Sequence, residues 1–352
     1  MKQKQDSLVV TLGRDPHANF GIVNPPVYHA STILYPTVEA LKSRKQPYTY
    51  GRRGTPTTAA LQEAVAGLEG GHNTVLVPSG LAAVSTALLA LVKSGDHLLI
   101  TDSVYGPSRH FADTVLARNG VEVEYYDPLI GAGIEKLMRP NTAAVFTESP
   151  GSITFEVQDI PAIAEVAHAH GAKVLIDNTW ASPLYFKPFE HGADVSIQAI
   201  TKYLCGHSDV MMGAITTNEE TWKAVLAGHG ALGQSVAPDD AYLVLRGIRT
   251  LSVRLERHMQ TGLKLARWFA TRPEVARVLH PALETDPGHA IWKRDFTGAS
   301  GLFSIILKPC SDASIAAMLD GLEFFGMGYS WGGFESLVVP QDISHYRTAT
   351  SK

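Results

Sequence analysis

The sequence predicts an α/β protein built on a mostly parallel sheet, followed by a smaller α+β unit. Strand-like and helical runs take turns from Asn73 to Trp180, the signature of βαβ units. Several of these runs close on a turn, as in VPSG, ESPG and DNTW. The rhythm then breaks near Pro238.

Taken in order, the first stretch to about Thr55 is rich in turn formers (GRDPHANFG, VNPP, YGRRGTP) and reads as an extended arm. NTVLVPSG is a short apolar run ending in a glycine turn, and LAAVSTALLALVK has helical period. DHLLITD is strand-like, SRHFADTVLARNG helical, and VEVEYYD alternates strictly as a strand does. AAVFTESP, IPAIAEVAHAHG and AKVLIDNTW continue the pattern. After Pro238, DDAYLVLRGIRTLSVRLERHMQTGLKLARWFATRP reads as one long helix or two joined ones. SGLFSIILK and SIAAMLDGL complete the smaller unit. The expected division is an arm over 1–55, a large domain over 56–247 and a small domain over 248–352.

The bulk numbers exclude several classes. The chain has 352 residues, is 45% hydrophobic and carries a formal net charge of -4. A nucleic-acid or anionic-membrane surface needs clustered basic charge, which is missing. No apolar run approaches the roughly 18 residues of a membrane span. The start, MKQKQDSLVV, has no apolar leader core, and the two cysteines, Cys205 and Cys310, fit a reducing cytoplasm. There are 14 histidines, yet His168 and His170 stand two apart on a predicted helix, and no cluster offers a metal its ligands.

In an open parallel sheet, ligands bind beyond the carboxyl ends of the strands. The segments ending VPSG, LITDSVYG, FTESPGS and LIDNTW therefore deliver their turns to one rim. Lys202, in IQAITKYLCGHSD, follows an apolar stretch, where desolvation turns a lysine into a usable nucleophile or base. Asp177 closes the strand-like VLID and can pair with a cation. Ser79-Gly80 joins a strand to a helix whose first N–H groups point at an anion. Tyr105 can stack on an aromatic ring. Each alone is more often an ordinary surface lysine, capping aspartate, connecting turn or packed tyrosine. Their joint placement on one rim is what points to a site.

The motifs VNPPVYHAST, YGRRGTPT, ESPGSITFEVQD, DNTWASP, ITKYLCGHSDVMMG, RGIRTLSVRL, WKRDFTGASGLFS and SWGGFESL carry a specific resemblance. The chain resembles, from about Leu8 to Pro340, the Cys/Met-metabolism group of pyridoxal-phosphate enzymes, which have the aspartate aminotransferase-like fold (fold type I). YGRRGTPT with Arg53, Ala199 before the lysine, and SWGG with Trp331 are similar to the β-lyases of the group rather than its γ-lyases and γ-synthases. The resemblance implies pyridoxal 5′-phosphate as cofactor, with Lys202 as Schiff-base lysine and proton carrier. It implies Asp177 at the pyridinium nitrogen, Tyr105 on the ring face, and Ser79, Gly80, Leu81 and Thr201 around the phosphate. Tyr50 and Arg52 would reach the phosphate in a neighbouring subunit, and Tyr242 would also cross over, in a homotetramer built of dimers. Arg53 would face the distal end of the amino-acid substrate, and Ser330 and Trp331 would line the pocket for its α-carboxylate.

The implied reaction is β-elimination at the C–S bond of cystathionine, giving homocysteine, pyruvate and ammonia. A cysteine desulfhydrase or γ-lyase of the same group is the alternative. The group's R-x-H-x-G-L-E segment, whose arginine grips the substrate carboxylate, has no counterpart before the sequence ends at SHYRTATSK, and Arg347 lies outside that motif. Without that contact a loss of roughly 3–4 kcal/mol of transition-state binding is expected. The expected consequences are a shortened, incomplete small domain with exposed apolar surface, and, as a further alternative, a cofactor-binding chain with weak catalysis.

Overall fold

The computed structural model describes residues 4–343 and 347–350. Seven strands form the main sheet: β1 (Asn73–Val77), β2 (His97–Thr101), β3 (Glu122–Tyr126), β4 (Thr142–Glu148), β5 (Lys173–Asp177), β6 (Val195–Gln198) and β7 (Gly213–Thr217). Their order is β1-β7-β6-β5-β4-β2-β3. Pairing is parallel throughout except at β7, which runs antiparallel to both β1 and β6. The mostly parallel sheet is thus as expected, and β7 is the one reversal. It turns the Ala199–Met212 connection, which carries Lys202, into a return loop at the rim.

The sequence explains why this sheet is central. Every residue of β2 and β7 is buried, so these strands are covered on both faces. Alternate residues feed different cores. Val75 and Val77 join one apolar cluster with Leu88, Ile100 and Phe146, while Leu76 between them joins another with Leu61, Leu68 and Leu245. Strand β3 lies at the edge, and its alternating EVEYY buries only Tyr126.

Within the stretch read as an extended arm, Gln5–Thr11 is helical and buries Val9. Arg249 fastens it by donating to the carbonyls of Val9 (2.9 Å) and Leu12 (2.8 Å). The run after Pro238 is two helices, Pro238–Ile248 and Leu251–Phe269. Beyond them β8 (Val275–Leu279) pairs antiparallel with β9 (Ser304–Leu307), and the Asp312–Asp320 helix follows. Phe324, Tyr329 and Phe334 are largely exposed in this region. No helix among the described residues is long and apolar enough to cross a membrane.

Candidate active site

Three neighbouring strands end at the rim in a carboxylic acid: Asp102 directly follows β2, Glu148 closes β4 and Asp177 closes β5. Lys202 reaches the same place from the β6–β7 connection. Thr201 braces that connection: its amide donates to the Met212 carbonyl (3.1 Å), and its hydroxyl accepts from the Met212 amide (3.0 Å). Lys202 Nζ donates to Ser330 Oγ at 3.2 Å and lies 5.0 Å from the centroid of the Trp331 ring. Burial lowers the Lys202 pKa, and Asp177 opposes that shift only in part. Gly332, at φ 90°, holds the Ser330–Trp331 segment against the lysine: a Cβ there would lie 2.9 Å from the Lys202 carbonyl carbon.

Asp177 Oδ1 accepts the Thr179 N–H at 3.0 Å, and no cation among the described residues stands within ion-pair distance of it. Burial raises its pKa, while Thr179 and Lys202 pull the other way. Tyr105 stands at the start of the Gly106–Phe111 helix and is 46% exposed, which leaves part of the residue open to a ligand. Its phenol is pushed up by burial first, then by Asp177 and Glu148.

Ser79 caps the Gly80–Leu91 helix, its Oγ accepting the Ala82 N–H at 3.1 Å. The first N–H groups of a helix have no partner inside it, so Gly80 and Leu81 present donors to an anion. Two glycines bring this helix end against the lysine loop. A Cβ at Gly80 would lie 2.7 Å from Ala199 Cβ, and one at Gly213 would lie 2.3 Å from the Ser79 carbonyl oxygen. Anion donors, a partly desolvated lysine, a carboxylate without a cation and a partly exposed tyrosine are the set that pyridoxal 5′-phosphate requires. The residues fit that group.

Other expected site residues lie apart. Arg52 donates to the Gly230 carbonyl at 3.1 Å and sits 5.8 Å from the Tyr50 ring centroid. Arg53 lies beside the same Gly230, and Tyr242 is half-buried on the Pro238–Ile248 helix. Among the described residues, no hydrogen bond, ion pair or ring contact within the chain joins these four to Lys202 or Asp177.

Several neighbours of the site carry no role in the sequence reading. Glu148 accepts the Tyr105 N–H at 2.7 Å and bonds Ser152 Oγ at 2.5 Å. Asp102 pairs with Arg109 at 2.5 Å and accepts donors from Thr348, Ala349 and Thr350. Arg347 is buried and pairs with Glu156 at 3.0 Å, so its guanidinium is already engaged. The signal that flags Asp177, an acid closing a buried strand at the rim, also marks Glu148 and Asp102. The contacts of 347–350 with Glu156 and Asp102 join residues 191 to 248 positions apart and leave no local pattern.

Comparison with known proteins agrees with this geometry. The cystathionine β-lyase MetC of Escherichia coli is 46% identical over 97% of this chain and 89% of its own length. The cystathionine β-lyase of Salmonella typhimurium is 47% identical over 99% of this chain and 91% of its own. Among solved structures, cystathionine γ-synthase from Xanthomonas oryzae pv. oryzae superposes with a TM-score of 0.90 at 31% identity, covering 96% of this chain and 86% of that one. The model of the Cys/Met metabolism PLP-dependent enzymes matches residues 6–352, and the chain belongs to that family.

Proposed function

We propose that this protein is a carbon–sulfur lyase that converts cystathionine and water to homocysteine, pyruvate and ammonia. The observation that carries the reading is the placement of Lys202 Nζ between Ser330, Trp331 and the Asp177 carboxylate at the rim. The names of the relatives support the same substrate.

Bound at this rim, pyridoxal 5′-phosphate would supply a carbonyl reactive towards amines and a ring able to take up electron density from Cα. The protein supplies the rest. The Ser79–Leu81 turn, with Thr201, binds the phosphate, and Asp177 keeps a proton on the ring nitrogen. Tyr105 covers one ring face and excludes water from it. Lys202 would be placed to take the Cα proton and to give a proton to the departing sulfur. One amine serves both steps only if its pKa lies near the working pH, and burial moves Lys202 in that direction. Ser330 and Trp331 line the pocket for the substrate α-carboxylate, and Arg53 takes the distal amino-acid end.

The test is product analysis with purified, cofactor-loaded protein. Pyruvate and homocysteine in equal amounts are expected from cystathionine, and Lys202→Ala should lower turnover by at least about a thousandfold. Formation of 2-oxobutyrate alone would mean γ-elimination and reject the proposal.

We further propose a cytoplasmic homotetramer of dimers with shared sites, and an arm, large domain and small domain over 1–55, 56–247 and 248–352. Tyr50, Arg52 and Tyr242 then enter the neighbour's site, in keeping with their separation from Lys202 within one chain. The arm leaves Phe20, Leu34 and Val38 mostly exposed, surface that a neighbouring subunit would cover. Two inactive variants, Lys202→Ala and Arg52→Ala, should recover about a quarter of the native activity when unfolded and refolded together in equal amounts, because a mixed dimer holds one intact site. No recovery would place each site within one chain.

A further inference from the structure

The proposed chemistry leaves two buried carboxyls at the rim unused, and of these Asp102 is paired with Arg109 while Glu148 has no ion-pair partner among the described residues. It stands in register with Asp177 on the adjacent parallel strand, so two acids lie side by side where the sheet meets the site. Parallel neighbours are about 4.8 Å apart. Two carboxylates at facing positions of neighbouring strands, out of water, make it costly to ionise both.

The surroundings decide which one holds the proton. Asp177 faces Lys202 and accepts the Thr179 N–H. Glu148 is more deeply buried, and no cation among the described residues pairs with it. Its Oε2 accepts the Tyr105 N–H at 2.7 Å, and its Oε1 accepts the Ser152 hydroxyl at 2.5 Å. An uncharged acid keeps both contacts, because a hydroxyl is donor and acceptor and Ser152 can turn to accept the carboxyl O–H while the other oxygen still accepts from Tyr105. The titratable groups facing Glu148 are Asp177 on β5 and Tyr105 on the turn after β2, with Lys202 beyond Asp177. Burial, and then the Asp177 charge, push the Glu148 pKa upward, against the pull of the Ser152 hydroxyl and the Tyr105 and Ser152 amides.

Those contacts also join two turns. The Ser152 amide donates to the Ser103 carbonyl at 2.9 Å. A Cβ on Gly151 would lie 2.3 Å from Ser103 Oγ, so the two turns already touch. Glu148 bonds one residue from each and holds Tyr105 at a fixed height above the strand ends.

We propose that Glu148 is a positioning residue which, as an uncharged acid, fixes the turn carrying Tyr105 over the cofactor ring and leaves Asp177 the sole negative charge beneath it. The inference rests on the cofactor geometry proposed above, but its test needs no cystathionine. Failure of the lyase assignment and failure of this one are therefore distinguishable.

The experiment compares Glu148→Gln and Glu148→Ala with the native chain, each loaded with pyridoxal 5′-phosphate. Visible circular dichroism of the bound cofactor, its absorbance as a function of pH, and the unfolding of the cofactor-free protein are followed. Glutamine is uncharged and reproduces both contacts, so the dichroic band and the midpoint of the pH titration should match the native protein. Alanine frees the Tyr105 turn, so cofactor affinity should fall roughly tenfold or more and the dichroic band should weaken. In the cofactor-free native protein, a raised carboxyl pKa makes stability decline as pH rises from the ordinary carboxylate range through the raised value. Glu148→Gln should remove that part of the decline. A titration midpoint shifted by about one unit or more in Glu148→Gln would mean an ionised Glu148 and overturn the proposal. A native dichroic band in Glu148→Ala would overturn the positioning role. If Glu148→Ala does not fold, Ser152→Ala and Glu148→Gln decide: native behaviour in the first rejects the clamp, and a shifted midpoint in the second rejects the uncharged acid.

Discussion

Asp102 and Glu148 flank the same Tyr105 turn, both buried, yet their environments drive them in opposite directions. Burial alone would raise both pKa values. At Asp102 it is outweighed by donors from Thr348, Thr350 and Arg109, and the net shift is downward. At Glu148 the desolvation stands, and the Asp177 charge adds to it. The difference lies in the number and charge of donors. Asp102 faces a guanidinium and three successive amides, whereas Glu148 faces the Tyr105 and Ser152 amides and one hydroxyl, with no cation among them. Burial sets the cost of ionisation, and hydrogen-bond donors decide whether it is met.

The harshest way to break the comparison is Asp102→Ala. It leaves the Arg109 guanidinium buried without its partner and three amides without an acceptor. A loss of about 3–5 kcal/mol is expected, measured as a lower denaturant midpoint. Asp102→Asn keeps the shape and removes the charge. The depressed Asp102 pKa contributes stability that is present above the ordinary aspartate value of about 3.9 and is lost as pH falls through the folded value. The asparagine variant should therefore lose most of this dependence on acid unfolding.

A milder change sharpens the comparison with a third buried acid. Glu69, at the end of the Pro56–Glu69 helix, bonds Gln198 at 2.7 Å and Ser196 at 3.0 Å. Burial pushes its pKa up to about 7, against the pull of Gln198 and Ser196. Position at a helix carboxyl end also disfavours its anion. Its folded pKa is raised, so stability should fall as pH climbs from about 4.5 to about 7. Glu69→Gln should flatten that slope while changing the midpoint at pH 5 by less than about 1 kcal/mol. An unchanged slope would mean that Glu69 is ionised in the fold, like Asp102.

Much of this site is legible in the sequence because strand ends are legible. LITD, FTE and LID each run from apolar residues into an acid, and the apolar part becomes a strand covered on both faces. The turn after each then lies at the rim. Lys202, Asp177, Tyr105 and Ser79 follow from that geometry, and the structure gathers them. Glu148 carries the same mark as Asp177, yet what it does depends on Ser152 and on the cross-strand register, which a single run of residues does not display. The reversal at β7 is equally hidden: GAITT looks the same in either direction, because a fully buried strand has no polar face to orient it. The contacts of 347–350 with Asp102 are invisible for a different reason, being set by tertiary packing alone.

Gly332 ties evolutionary freedom in the last part of the chain to one point. Its left-handed backbone lies against the peptide between Lys202 and Tyr203, where no side chain fits. Residues around it, such as Tyr329 and Phe334, are exposed and can drift. Any mutation that adds a Cβ at 332 would move the backbone of the lysine itself. Substitutions at exposed Tyr329 and Phe334 leave this contact alone, but at 332 a single methyl group is enough to disturb the site.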